Sequence, residues 1–432
     1  MTIPRYAGPE EFRKTLREYS SSSPDLIGTV REILETVRND GDTALREYTK
    51  RFDKVHREQI RVTEEDWQEI AEVSRESLEL LEEAAGNIRR YHATEFEQFG
   101  SWEIEENGAY LGQRVTPLKR VGVYVPGGTA AYPSSVLMNV IPAQVAGVEE
   151  IAIVTPPAKD TGKANPLVMA TADILGIDEV YVVGGAQAVA ALAYGTESVS
   201  PVLKITGPGN QYVNEAKRQV FGVVGIESLA GPSEILILVD QTAEPALLAA
   251  DLLSQAEHDP NARSLLISTD QSLLDKTEEA LEEQLRNLPR RDIAAESLST
   301  NGAMIPVSDL MAGIALVKEI GPEHLELMLE EPEEALKEID SAGAVFLGSQ
   351  TPEPVGDYWA GSNHILPTGG AARYASALST RDFVRWTSVV KYSENRLQQN
   401  GAQIARFARL EGLEAHARAV DLRLGREEDP GQ

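Results

Sequence analysis

Residues 230–258 read AGPSEILILVDQTAEPALLAADLLSQAEH. A Gly-Pro turn leads into Ile235 to Val239, an unbroken aliphatic run of strand length, and then into a helical stretch from Pro245 to Glu257. A strand that is apolar on both faces has no solvent side, so it belongs inside a sheet covered on both faces, and strand followed by helix is the repeating unit of a parallel sheet. The same unit recurs outward in both directions. Val121 to Val125, Ile151 to Thr155, Val180 to Val183 and Val202 to Thr206 come before it; Ser264 to Ser268 and Ala344 to Leu347 come after. Most lead into helical stretches, which predicts an α/β protein with doubly wound, Rossmann-like sheets, two of them given the number of strands.

Helical periodicity flanks this core. Val30, Ile33, Leu34 and Val37 mark a helix within Asp25 to Phe52, and Ile70, Val73, Leu80, Leu81, Ala84 and Ile88 mark helix between Thr63 and Phe96. The spacer from Asp270 to Ala303 reads as charged helix, and after about Ser376 helix returns through Leu413 as a C-terminal arm.

At 432 residues the chain is too long for a single ordinary core, and its 42% hydrophobic residues suffice for two or three. No apolar run reaches the roughly 20 residues that span a bilayer, and Met1-Thr2-Ile3-Pro4-Arg5 does not open an apolar leader, so a cytoplasmic protein is expected. There is no cysteine, which removes disulfides, thiolate ligands and thiol nucleophiles together. A net charge of -28, spread over many helical segments, argues against nucleic acid as a partner. The cations are 28 arginines and 12 lysines, a balance that fits an acidic protein working in concentrated salt, where charges are screened within a few Å, as well as an ordinary acidic cytosolic enzyme.

Six histidines occur. His56 and His92 lie in charged helical surroundings and read as surface residues. Gln255 and His258, three apart at a helix end, put an amide oxygen and an imidazole on one face; such a pair can hold a metal or simply cap the helix carbonyls. Glu323 and His324 follow the Gly321-Pro322 turn on what reads as irregular backbone, where they could act as base and water activator or sit as a solvated pair. Asp357 and His364 share a long Pro/Gly-rich loop, suited to a cation or polar substrate, or to Asx turns. Glu411 and His416 close the C-terminal arm, within reach of a second subunit or at a frayed end. The glycine turns Val125-Pro126-Gly127-Gly128, Gly184-Gly185-Ala186-Gln187 and Thr206-Gly207-Pro208-Gly209-Asn210 follow strands and can bring backbone N–H groups to a phosphate, although none is the GxGxxG fingerprint.

In order along the chain, YVPGG, GGAQAVAALAYGTE, GPGNQYV, AGPSE, DLLSQAEH, GPEHLEL, AGAVFLG, GDYWAGSNHILPTGG and EGLEAH resemble the successive signature blocks of the histidinol dehydrogenases, over roughly residues 24–422. The resemblance implies an NAD-dependent oxidoreductase that converts L-histidinol to L-histidine through bound L-histidinal, in the last steps of histidine biosynthesis. It implies one zinc ion held by Gln255, His258, Asp357 and His416, and a catalytic pair Glu323 and His324. Substrate contacts then fall on Ser233, Gln255, His258, His324, Asp357, His364, Glu411 and His416, and NAD contacts on Tyr124, Gln187 and Asn210. An intertwined homodimer is implied, with Glu411 and His416 reaching the partner's site, and no membrane or nucleic-acid partner. The expected division is an N-terminal extension at 1–23, a discontinuous α/β domain at 24–122 plus 235–376 carrying metal and catalytic residues, an NAD-side α/β domain at 123–234, and a helical arm at 377–432. A zinc hydrolase using the same ligands, or a dehydrogenase of a related amino alcohol, are the alternatives. Two departures stand out: Ile226-Glu227-Ser228-Leu229 where the family commonly has an Asp-containing run, and Trp359 within the GDYWAGSNH loop.

Overall fold

A computed structural model describes residues 3–15, 23–127, 131–229 and 231–426. Gly128 of the first glycine turn, Ala230 before the quoted strand and part of the expected 1–23 extension lie outside the described residues.

Among the described residues thirteen strands form three sheets. In chain order they are β1 (Trp102–Glu106), β2 (Ala109–Pro117), β3 (Arg120–Tyr124), β4 (Glu150–Thr155), β5 (Val180–Val182), β6 (Lys204–Thr206) and β7 (Gly225–Ile226). They continue with β8 (Glu234–Val239), β9 (Arg263–Ser268), β10 (Ala303–Pro306), β11 (His324–Met328), β12 (Ala344–Leu347) and β13 (Val384–Tyr392). The first parallel sheet has the order β5-β4-β3-β6-β7 and the second β10-β9-β8-β11-β12. Each starts at its centre, adds strands to one side, then crosses to the other, so each has a point where the strand order reverses, between β3 and β6 and between β8 and β11.

The quoted run is the central strand β8, every residue of it buried. Ile235, Ile237 and Val239 face one apolar layer with Leu248, Leu252 and Leu298, while Leu236 and Leu238 face another with Ile314, Val317 and Leu327. The alternation of side chains across a strand explains why both faces had to be apolar. The first sheet is covered in part by the helix Pro24–Tyr48, whose Val30, Ile33, Leu34 and Val37 pack with Val189, Ala216 and Val220. That helix starts where Ser23 Oγ accepts the Leu26 N–H at 3.2 Å and proline fills its first position.

All seven strands read from the sequence are present. The expected helical return after Ser376 is corrected: apart from the single 3-10 turn Thr380–Phe383, β13 comes first and pairs antiparallel with β2, and α-helix begins at Glu394–Leu410. In β13 Val384, Trp386, Val390 and Tyr392 alternate with mostly polar residues, a strand pattern that the helical reading passed over, and the strand is almost wholly exposed. The described residues divide into two compact units, Met1–Glu95 with Leu118–Phe383, which holds both parallel sheets, and Phe96–Pro117 with Val384–Gln432, which holds the antiparallel sheet and C-terminal helices. No helix among the described residues is long and apolar enough to cross a membrane.

Candidate active site

Where β8 and β11 begin, one residue organises two others. The Glu234 backbone N–H donates to Glu323 Oε2 at 2.8 Å, and the Glu234 carbonyl accepts from His324 Nδ1 at 3.0 Å. His324 is therefore not on irregular backbone, as its turn suggested: it opens the second sheet's strand β11, in register with Ile235 and Ala344. Its Nδ1 proton is committed to the carbonyl, so Nε2 is the free nitrogen. Nε2 is buried without a hydrogen-bond partner, 3.7 Å from Asp357 Oδ1 and 3.9 Å from Glu353 Oε1. His364 Nδ1 lies 3.8 Å from the other Asp357 oxygen.

A second carboxylate layer stands behind this one. Glu326 lies two residues after His324 on the same strand and so on the same face. Its Oε1 accepts the Glu353 N–H at 2.8 Å, fixing the start of the loop that carries Asp357. Asp251, one helical turn before Gln255, is close enough to Glu326 to hydrogen-bond it.

Burial governs the electrostatics. It drives Glu323 up to about 8 against the opposing pull of His324, and drives Glu353 up to about 8, with the Asp357 charge adding to the rise. Glu326 goes to about 9 through burial and then the charge of Asp251. Burial would also raise Asp357, but the neighbouring imidazoles of His324 and His364 hold it down at about 2. For His324 burial favours the neutral ring, yet Glu323, Asp357 and Glu353 outweigh it and lift the imidazole to about 10. Burial lowers His258 and His364, with Asp357 opposing in both.

The arrangement can hold a cation: His324, Glu353 and Asp357 each offer a ligand atom, all within 4.8 Å of one another. His324 Nε2 and His364 Nδ1, both beside Asp357, are buried without a hydrogen-bond partner, and imidazole with carboxylate is a donor chemistry that suits a divalent ion; Gln255 Oε1 is likewise buried and unpartnered. Gln255 is in the last turn of helix Pro245–Ala256, and His258 is in the turn just beyond, its N–H bonded to the Gln255 carbonyl at 3.2 Å. Ser233 precedes β8 and is half-buried. Glu411 and His416 belong to the smaller unit and are exposed.

Sequence reasoning missed Asp251, Glu326 and Glu353, and misplaced His92. His92 is fully buried, with Nδ1 2.9 Å from Glu95 and Nε2 3.3 Å from the Asn363 amide, so it braces the loop next to His364. His56 is exposed as expected.

The candidate nucleotide residues stand at the carboxyl ends of the first sheet. Tyr124 ends β3; its buried hydroxyl accepts the Gly185 N–H at 3.0 Å, and burial pushes it up to about 12. Gln187 lies in the first turn of helix Gly185–Tyr194, buried, with Oε1 unpartnered. Asn210 caps helix Gln211–Val220, its Oδ1 accepting from Tyr212 N at 3.0 Å and Val213 N at 3.2 Å.

A histidine ringed by carboxylates that could hold a cation, with a raised glutamic acid beside it on a parallel sheet, defines an α/β enzyme equipped for proton transfer. The histidinol dehydrogenase family pattern matches residues 16–424. A histidinol dehydrogenase from Geobacillus kaustophilus is 52% identical over 98% of this chain and 99% of its own length, and one from Bacillus subtilis is 49% identical over 98% and 99%. The crystal structure of histidinol dehydrogenase from Elizabethkingia anophelis, 38% identical, matches 98% of each chain with a TM-score of 0.93. The chain belongs to the histidinol dehydrogenase family, a family of oxidoreductases.

Proposed function

We propose that the protein oxidises L-histidinol through bound L-histidinal to L-histidine, a four-electron reaction with NAD as acceptor and one zinc ion per site. The observation that carries this reading is the unpartnered His324 Nε2, set between Asp357 and Glu353 beside the buried Glu323.

Gln255, His258, Asp357 and His416 would hold zinc, which when bound would fix the substrate's nitrogen atoms and offset the charge of the surrounding carboxylates. With the charge of the neighbouring carboxylates offset in this way the His324 imidazole would be neutral, so its Nε2 could take the alcohol proton while its Nδ1 stays anchored on Glu234. In the second oxidation the aldehyde must first become a tetrahedral hydrate. With no cysteine in the chain, water is the nucleophile, and Glu323 is the group that accepts its proton. Ser233, His364 and Glu411 are assigned to the substrate, and Tyr124, Gln187 and Asn210 to NAD. The strand order of each parallel sheet, which matches the first five strands of a Rossmann fold, supports a nucleotide at the carboxyl ends of β3 and β6. On this assignment 24–122 plus 235–376 carry the chemistry and 123–234 the nucleotide.

A homodimer is part of the proposal. The smaller unit exposes Trp102, Ile104, Trp386, Val390, Phe407, Leu410 and Leu422, more large apolar side chains than a free surface keeps without a partner. A second copy would cover them and bring in Glu411 and His416.

The test is the absorbance of reduced nicotinamide on adding histidinol: two NADH per histidinol, lost on chelation and restored by zinc. Metal-dependent hydrolytic turnover without NAD would replace this reading with a zinc hydrolase.

A further inference from the structure

The first sheet's crossover point holds an ion pair that the chemistry above does not use. Lys217, in the last turn of helix Gln211–Val220, and Glu227, just past β7, have side chains only 1% and 5% exposed. Lys217 Nζ lies 2.6 Å from Glu227 Oε1 and donates to the Gly207 carbonyl at 2.5 Å, while the Gly207 N–H donates to the same Glu227 oxygen at 2.8 Å. Both backbone polar groups of one glycine are thus tied to one buried pair. Gly207 itself has φ +111, and a Cβ there would lie 2.0 Å from the Tyr124 carbonyl oxygen, so the turn after β6 is pressed against the end of β3. That is the crevice where a doubly wound sheet takes its ligand.

A buried ion pair is weak evidence for stability, because desolvation offsets most of its attraction and apolar replacement is often neutral or stabilising. Its geometric consequence is better defined. We propose that Lys217 and Glu227 are positioning residues for NAD: by holding the Gly207 peptide they set the Gly207–Asn210 turn against the end of β3, and so place Asn210 relative to Tyr124. This rests on the NAD assignment above, and it gives a role to the unusual Ile226-Glu227-Ser228 run.

The experiment compares the zinc-loaded wild type with E227Q, E227D and the apolar pair K217M/E227L. It measures NADH affinity, histidinol affinity without nucleotide, kcat at saturating NAD, and Tm. Weakening the charge-assisted hold on the Gly207 peptide predicts NADH binding weaker by about tenfold in E227Q, by about tenfold or more in K217M/E227L, which loses both bonds to Gly207, and by less in E227D, which keeps the charge. Histidinol affinity and saturated kcat should stay within about twofold in all three, since neither residue touches substrate. A folded variant that binds NADH like wild type, or that loses histidinol affinity in step, overturns the proposal. Should the double variant not fold, E227D carries the same comparison. Wild-type protein that binds no NADH sinks the cofactor assignment instead.

Discussion

Glu323 and His324 are neighbours in the chain, and the sheet turns them to different partners of one residue, the N–H and the C=O of Glu234. Their separation of duties follows from that. Glu323→Gln keeps a group that the Glu234 N–H can bond to but cannot accept a proton from water, so the aldehyde step should slow by about 100-fold or more while the alcohol step changes little. Single-turnover traces started from histidinol and from histidinal check this, and equal losses in both would remove Glu323 from the second step. Behind them, Glu326 illustrates a different cost. Its folded value near 9 lies above the usual carboxyl value of about 4.3. The stability it contributes is complete below about pH 4 and is lost as pH climbs toward 9. Glu326→Gln mimics the protonated form, so the metal-stripped variant should melt higher than wild type at pH 8, with the gap closing toward pH 5; parallel melting profiles would contradict this. Residues of this kind were illegible in the sequence because 68 acidic residues share the chain and nothing local separates a buried carboxyl from a solvated one. The histidines, being six, could be weighed singly, but that reading left His324 open between a base and a solvated pair and His364 open between a ligand and an Asx turn; the structure buries His324.

At the level of elements, legibility tracked burial. β3, β4, β8 and β9 are almost wholly buried and apolar, so their runs spelled parallel strands. β11 is equally buried but carries His324 and Glu326, whose polarity serves the site and breaks the apolar run that would have marked it. β1 and β13 are almost wholly exposed yet carry alternating large apolar residues, Trp102 and Ile104 in one and Trp386 and Val390 in the other, so their strand signal was present in the sequence and was passed over. Glycines give the cleanest element-level test. Gly28 sits within helix Pro24–Tyr48 and an added Cβ would meet nothing within 4 Å, so Gly28→Ala should stabilise by about 0.5–1 kcal/mol through chain entropy. Gly207→Ala meets both the φ of +111 and the Tyr124 oxygen, and should cost at least about 1–3 kcal/mol. Urea unfolding of the two variants reads both signs, and a Gly207→Ala protein as stable as wild type would contradict the turn geometry.

The whole molecule carries 68 acidic against 40 basic residues, so many surface carboxylates lack a cation to pair with. Screening that repulsion should raise Tm by several degrees between about 0.1 and 2 M KCl, and a flat response would assign the acidity to solubility alone. Charge was plain from composition, whereas the split into two units was not, because β1 and β2 are far in sequence from β13, with which β2 pairs. That split bears on the last question, which copy supplies His416. If sites are shared across a dimer, Asp357→Asn and His416→Asn are each inactive alone. In a mixed dimer one site carries both substitutions and the other carries neither. Co-refolding equal amounts gives about half mixed dimers at random association, hence about a quarter of wild-type activity. If His416 serves its own chain, every site in the mixture contains one defect and no activity returns. Recovery near a quarter, with sedimentation showing a dimer, therefore assigns Glu411 and His416 to the partner's site, and a null result returns them to their own.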